Sequence, residues 1–466
     1  MVKDETKITS DITVYGATGF VGKYILDYLL QSASVNSQPI RLVLAGRNEA
    51  KLEQRLKSLV VRGGSTASIC VADSSDSDAL KSMASNTKVV MSCAGPFALF
   101  GTHIVEACAT VGTDYVDITG EFQWAAQMRQ TFGDAAKKSG ARIISLAGFD
   151  SIPSDLSIFA AVHALREVRG RQVEIDKGVT WHHMVGAANG GTIHTAVNMP
   201  IDVKKMISDG NKWRKVPYLM EDPLCLTHPT KVRFNPDYEE RKNKMAMTEW
   251  LNVFPSFDSV LAGGMSLMFF MAPVNSKVVH ASAVSLNYGP DFKYFERWVF
   301  LGFRTTRALG FWSAIPSMLL QIWIFFGILL LKLPYLSQKF LDYFYPPGSG
   351  APDAFNKRCT CEVYAEVTSK AEAPSNNGSV DRAACRITFQ GDPGNLVTAQ
   401  VVSEVALALL YNRADLPPIS EDGFGTPCEL VGKVLMQRLM DSKVRKVSIE
   451  TAVHKDMLRN NLQLLV

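Results

Sequence analysis

Hydrophobic positions along the first 150 residues come in short runs separated by amphipathic stretches. The runs Asp11–Tyr15, Ile40–Ala45, Ala67–Val71, Lys88–Cys93, Asp114–Asp117 and Ala141–Leu146 read as strands. Between them, Glu49–Val60, Gly101–Val111 and Phe122–Lys138 repeat apolar residues at helical spacing. This alternation predicts an α/β fold built on a doubly wound parallel sheet with right-handed crossovers. Beyond Val173 the alternation stops. Val173–Met184, Cys359–Val367 and Ala384–Gln390 read as strands, Leu396–Tyr411 and Glu429–Met440 as helices, and Lys204–Lys244 as polar surface loops. The later strands are expected to rejoin the one at Val173 in an α+β second domain. One stretch obeys no such pattern: Ala308–Leu331 runs for 24 residues without a charge. The expected organisation is a first domain over residues 1–150, a second over 151–290 and 351–466, and an apolar insertion over 291–350.

The first strand runs straight into glycines. Asp11 to Gly22 reads DITVYGATGFVG, and from Phe20 the spacing turns helical. Strand, tight turn and helix N-terminus together form a site for a pyrophosphate, so the first domain is expected to be a Rossmann dinucleotide-binding domain. Gly16 permits the turn, Gly19 lets backbone approach the phosphates, and Gly22 lets the helix pack on the sheet. Thr18, Phe20 and Val21 complete the turn and the helix start. Arg47 follows the second strand, where an NAD-specific site places an acid for the ribose 2′-hydroxyl. Arg47 instead suits a 2′-phosphate, so NADP(H) is the expected cofactor and NAD(H) stays open. Asp73 stands where it meets the adenine edge or caps the next helix, near Asp76. Ala94, Gly95 and Pro96, after the fourth strand, are small and then rigid, as a passing dinucleotide requires.

Candidates for acid/base chemistry follow the later strands. Asp117 and Glu121 lie in DITGE after the fifth, with Glu121 read as the cap of the helix opening at Phe122. Asp150 lies in GFDSIPSD after the sixth, with Ser154 read as the N-cap of the helix running through His163. Further on, Gly190-Gly191-Thr192 opens a helix containing His194, a candidate proton donor or a packing residue. His182 and His183 are neighbours on a strand, point to opposite faces and make poor joint metal ligands, so no metal site is expected.

Composition narrows the partners. With 49 basic and 45 acidic residues and no basic block, nucleic acid is not an expected partner. The eight cysteines are scattered without a CxxC pair, which predicts reduced thiols in a cytosol-facing protein. Cys359 and Cys361 share a strand face and read as core. The polar N-terminus does not resemble a signal peptide, and the Asn377-Gly378-Ser379 sequon has no such support. The uncharged segment matters more. As a helix its 24 residues span about 36 Å, against a hydrocarbon core of about 30 Å. Arg304, Arg307 and Lys332 flank it, and 17 of the chain's 44 aromatics fall within residues 288–345, a density suited to a membrane interface. A buried core helix is the plain alternative. Pro316 and Pro334 are expected to bend the segment into a shallow hairpin in one leaflet, keeping both flanks on the cytosolic side. Ser259–Ser276 is only moderately apolar, and Gly263-Gly264 argues against a span there.

GATGFVG, LAGR, SCAGPF, DITGE and GFDSIPSD, in this order and at these intervals, resemble the saccharopine dehydrogenase-like oxidoreductase family, in its membrane- and lipid-droplet-associated branch. The resemblance extends through Gly190–Thr192 and the apolar insertion. It implies a Rossmann domain, an α+β domain for substrate binding and dimerisation, and NAD(P) chemistry; relatives include enoyl reductases acting on lipid-like intermediates. Saccharopine itself is an unsuitable substrate, because a molecule with several carboxylates calls for clustered arginines and Val173–Thr195 has none. Two readings stand. One is an NADP(H)-dependent oxidoreductase reducing a lipophilic carbonyl, imine or enoyl compound. The other is a non-catalytic membrane scaffold or redox sensor that keeps a nucleotide-binding fold. The expected location is a cytosol-facing lipid-droplet or endoplasmic-reticulum surface, with a mitochondrial membrane and a homodimer left open.

Overall fold

The structure, a computed structural model, describes residues 9–170, 172–186, 222–228, 238–251, 254–331, 343, 349–370 and 380–454. The Gly190–Thr192 turn, His194, Pro334 and the Asn377 sequon lie outside these residues.

Six strands, β1 (Ser10–Tyr15), β2 (Arg41–Gly46), β3 (Thr66–Val71), β4 (Thr87–Ser92), β5 (Asp114–Asp117) and β6 (Ile143–Ile144), form a parallel sheet in the order β3-β2-β1-β4-β5-β6. Helices α1 (Phe20–Val35), α2 (Glu49–Ser58), α3 (Ser77–Ser85), α4 (Phe97–Phe100), α5 (Thr102–Val111) and α6 (Phe122–Ser139) make the crossovers. Successive strand residues feed opposite faces. Ile12, Val14, Leu42, Leu44 and Met91 join one buried cluster, while Tyr15, Ala45, Val90 and Tyr115 join the other. Burial on both faces is why these strands read as continuous apolar runs. The strand order reverses between β1 and β4, the switch point at which such sheets bind ligands.

α7 (Ile152–Arg169) leaves this sheet and packs on a second one. Its strands β7 (Ile175–Met184), β8 (Ser256–Asp258), β9 (Gly264–Met268), β10 (Lys293–Trp298), β11 (Thr360–Ser369), β12 (Arg382–Gln390) and β14 (Val447–His454) lie in the order β14-β12-β11-β7-β10-β9-β8. The strands expected near 359–367 and 384–390 do rejoin the one at 173–184: β11 runs antiparallel to β7 and to β12. Leu156, Ile158, Ala161 and Leu165 of α7 share one cluster with Val363, Ala365, Cys385 and Ile387, so a single core runs from the first sheet into the second. Cys359 and Cys361 are buried as expected, and no cysteine among the described residues is in a disulfide.

Several expectations change. Residues 293–298, placed inside the insertion 291–350, are β10, paired in parallel with β7. β13 (Phe424–Gly425) pairs with β6, so the first sheet takes a strand from far beyond residue 150. The short strands β8 and β9, and β14 at the sheet edge, were not anticipated. Tyr238–Leu251, partly assigned to surface loops, is a helix with Met245 buried. Ala308–Leu331 is not one helix. It breaks at Gly310, whose φ of 51° is left-handed, and the 3-10 turn Gly310–Ser313 is pinned where Ser313 Oγ accepts the Met265 N–H at 2.8 Å. Pro316 therefore does not bend the helix Ala314–Leu331. It stands third in it, where a missing N–H costs nothing. Among the described residues, the helix long and apolar enough for a span by length and composition is Pro393–Tyr411, and 83% of it is buried, so it is a core helix.

Candidate active site

β1 hands the chain to Gly16, whose φ of 86° only glycine adopts readily. A Cβ there would lie 2.9 Å from the Ala94 nitrogen, because the β1 and β4 loops close on each other at the switch point. A Cβ on Gly22 would lie 2.7 Å from the Gly16 carbonyl oxygen. The turn, rather than the sheet expected from the sequence, is what demands glycine at position 22. A Cβ on Gly19 would meet only Gly16 O, at 3.2 Å, and would otherwise project into open space. Gly19 is also the N-cap of α1; it brings no side-chain cap, and the first turn holds no acid. The leading N–H groups of α1 thus have no side-chain cap, which suits a helix end that receives a pyrophosphate. Phe20 and Val21 turn their side chains inward against the core. The Phe20 ring packs directly on Gly350, and Asp353 binds Lys23 at 3.0 Å and the Tyr24 hydroxyl at 2.6 Å, so a segment returning from the apolar region straps the start of α1.

Arg47 is exposed just beyond β2. Asp73 neither caps nor is buried: its Oδ1 accepts from Ser75 N and Oγ at 2.9 and 2.7 Å. Those bonds, with a smaller push from Arg47, hold its carboxyl below the ordinary range. Asp76 is the cap, accepting from Ala79 N at 3.0 Å. After β4, Ala94, Gly95 and Pro96 lead into α4, with a cis Gly95–Pro96 bond. Cys93 donates its thiol to the Tyr15 and Gly16 carbonyls at 3.4 Å, and burial pushes that thiol up to about 12.

The acids sort by what their oxygens already do. Asp117 Oδ1 accepts Thr119 N and Leu146 N at 3.0 and 3.2 Å, and Oδ2 accepts Ser145 Oγ at 2.9 Å. Burial raises its carboxyl to about 7. It ties the β5 loop to the β6 loop. Glu121 sits at the N-cap of α6 but makes no side-chain cap. Its two oxygens instead accept Phe97 N and Ala98 N, both at 2.8 Å, and so organise the loop after Pro96. Asp150 is half-buried, is raised to about 6 by burial, and its carboxylate has no hydrogen bond among the described residues.

Ser154 is not the cap of α7, which is Ser151. Buried in the first turn, Ser154 belongs to a polar cluster that the sequence did not disclose. Its hydroxyl lies 2.6 Å from Glu296 Oε1 and 3.2 Å from His182 Nε2; His182 and Glu296 pair at 2.8 Å. Asn275 Nδ2 donates to Glu296 at 3.0 Å, and Ser151 donates to Asn275 Oδ1 at 3.1 Å. The His182 ring stacks on Phe269 at 4.2 Å. His183 points to the other face, as its strand position predicts, with Nδ1 3.0 Å from Val299 O. One turn before Asn275, Met271 touches the Gly120 position of the β5 loop. The cluster therefore lies beside the loops after β5 and β6, on the side of the switch point that takes the nicotinamide half of a dinucleotide. No motif spacing could reveal it, because its members come from α7, β7, β10 and the helix Ala272–Ser285.

Residues 12–144 match the family model of the saccharopine dehydrogenase NADP-binding domain. A Mycobacterium tuberculosis protein provisionally named a trans-acting enoyl reductase is 30% identical over 447 residues, which are 92% of this chain and 95% of that one. A Caenorhabditis elegans lipid droplet localized protein is 38% identical over 151 residues, 32% of this chain and 35% of that one. Among solved structures, saccharopine dehydrogenase (L-Glu forming) from Saccharomyces cerevisiae aligns over 95% of this chain and all of that one, at 12% identity and a TM-score of 0.44. NADP is the cofactor of the matched domain. The chain belongs to the saccharopine dehydrogenase-like family of NAD(P)-dependent oxidoreductases.

Proposed function

We propose that the chain is an NADP(H)-dependent reductase that works at a membrane or lipid-droplet surface, facing the cytosol, on a lipophilic enoyl, carbonyl or imine compound. The backbone of Gly16, Thr18, Gly19, Phe20, Val21 and Gly22 holds the pyrophosphate, Arg47 the 2′-phosphate and Asp73 the adenine side. Ala94, Gly95 and Pro96 line the passage to the nicotinamide. The bound cofactor supplies a hydride. At this edge Asp150 is the acid with oxygens to spare, while Asp117 is spent on structure; from the sequence alone, His194 is the other candidate donor. The name of the mycobacterial relative favours the enoyl substrate, and that of the nematode relative favours the lipid-droplet surface.

One observation carries the reading. β10 and β11, the strands before and after the apolar segment, both flank β7, and the segment leaves and returns at the end of β7 that bears His182. Trp298 lies beside His182, and Cys361 beside Met184. The segment therefore springs from, and returns to, the same end of the second sheet, which supports a one-sided anchor beside the candidate cleft. Phe311, Trp312, Ile315, Leu319, Trp323 and Phe326 are each more than half exposed, an apolar surface too large for a solvated monomer. The test is to incubate purified chain and NADPH with fractionated lipid extract, following cofactor absorbance and the gain of two hydrogens by mass spectrometry. NADPH binding without consumption in any fraction refutes the reductase.

A further inference from the structure

Arg47 is one cation, reaching the ribose from the end of a strand. A 2′-phosphate carries close to two negative charges at neutral pH, so a site that prefers it gains from a second cation on its other side. Arg55 stands there. It projects from the second turn of α2 back to the glycine turn, where its Nη2 donates to the Thr18 carbonyl at 3.4 Å. That is a long single bond, and it leaves the rest of the guanidinium uncommitted. Nε of Arg55 is buried without a hydrogen-bond partner, and Arg55 makes no ion pair among the described residues, though its charge acts on Asp27 of α1. Arg41 and Arg129, by contrast, each fork onto a carboxylate. Arg47 lies in the two-residue β2–α2 connection and Arg55 seven residues into α2, and Thr18 belongs to the turn proposed to take the phosphates.

We propose that Arg55 is the second ligand of the 2′-phosphate, closing on it from α2 while Arg47 closes from β2. Thr18 serves as the rest for the guanidinium, keeping the long side chain ordered and partly repaying the entropy of fixing it. The proposal rests on the NADP reading of the glycine turn and adds a residue that determines the choice between the phosphorylated and unphosphorylated cofactor.

The probes are 2′,5′-ADP and 5′-AMP, which differ by the 2′-phosphate alone, titrated calorimetrically into the full-length chain. Arg55→Gln retains an amide N–H for Thr18 and removes the charge. It should weaken 2′,5′-ADP about ten- to a hundredfold, the range for one charge-assisted contact, and leave 5′-AMP unchanged. Arg55→Lys should restore part of the loss, and the salt dependence of 2′,5′-ADP binding should flatten in Arg55→Gln. Unchanged 2′,5′-ADP affinity in Arg55→Gln overturns the proposal, and so does an equal loss of both nucleotides, which would mean that Arg55 only props Thr18. In either case wild type still prefers 2′,5′-ADP and the Arg47 assignment stands. A wild type that does not distinguish the two probes overturns both.

Discussion

Glu121→Ala probes a residue whose task the fold reassigns. In the structure the carboxylate is 5% exposed and accepts two backbone N–H groups, Phe97 and Ala98, at 2.8 Å each. Alanine removes both acceptors and leaves the donors facing a space too apolar to hydrate them well. A hydrogen bond to a charged group contributes about 1.5–3 kcal/mol, so the variant, which loses two, should lose about 3–6 kcal/mol. That is a large share of the roughly 5–15 kcal/mol that holds a domain folded. Glu121→Gln keeps one acceptor but turns an NH2 group toward the second N–H, and should lose about 2 kcal/mol or more. If the loop opens by itself, the loss appears as NADPH affinity, about tenfold for each 1.4 kcal/mol. Urea denaturation and calorimetric titration together register either route. Helix content should not change, because Glu121 does not cap α6 through its side chain. An alanine variant within about 1 kcal/mol of wild type, with unchanged NADPH affinity, would refute the assignment.

Four further outcomes are expected. Gly19→Asp places a carboxylate in the phosphate space and should abolish NADPH binding with an unchanged circular dichroism spectrum; retained binding would put the cofactor elsewhere. Arg47→Ala should weaken NADPH while sparing NADH, and equal wild-type affinities for the two would sink that claim. Asp117 has a folded pKa near 7 against an ordinary 3.8, so its contribution is greatest below pH 4 and is lost as pH rises through 7. Asp117→Asn should therefore flatten the stability profile between pH 5 and 8 and gain on wild type at pH 8, by at most about 4 kcal/mol, while still binding NADPH; an identical profile would show that Asp117 is not held protonated by burial. On sealed vesicles, tags at the N-terminus and after Leu464 should both be open to protease; protection of the C-terminal tag alone would mean the apolar segment spans.

The pattern of the chain was enough for the elements and the glycine turn. β1 to β5 appear within a residue or so of their expected bounds, because strands such as β1 and β4, buried on both faces, leave continuous apolar runs and a phosphate turn needs glycine at fixed intervals. Antiparallel partners β11 and β12 were legible for a related reason, since alternation reports a half-covered strand. What stayed hidden was who meets whom. Glu121 carries every local mark of a helix cap, and only the approach of the Phe97 loop gives its oxygens better donors. Ser154 carries the same marks, yet the second sheet buries it against His182 and Glu296. The strand Phe424–Gly425 is two residues long, too short for any periodicity, and joins the first sheet because β6 leaves an edge to cover. Local patterns report how a residue sits relative to its own element and the nearest core. Partnerships between residues some 140 positions apart depend on how the elements pack, and packing energy is shared among all of them at once.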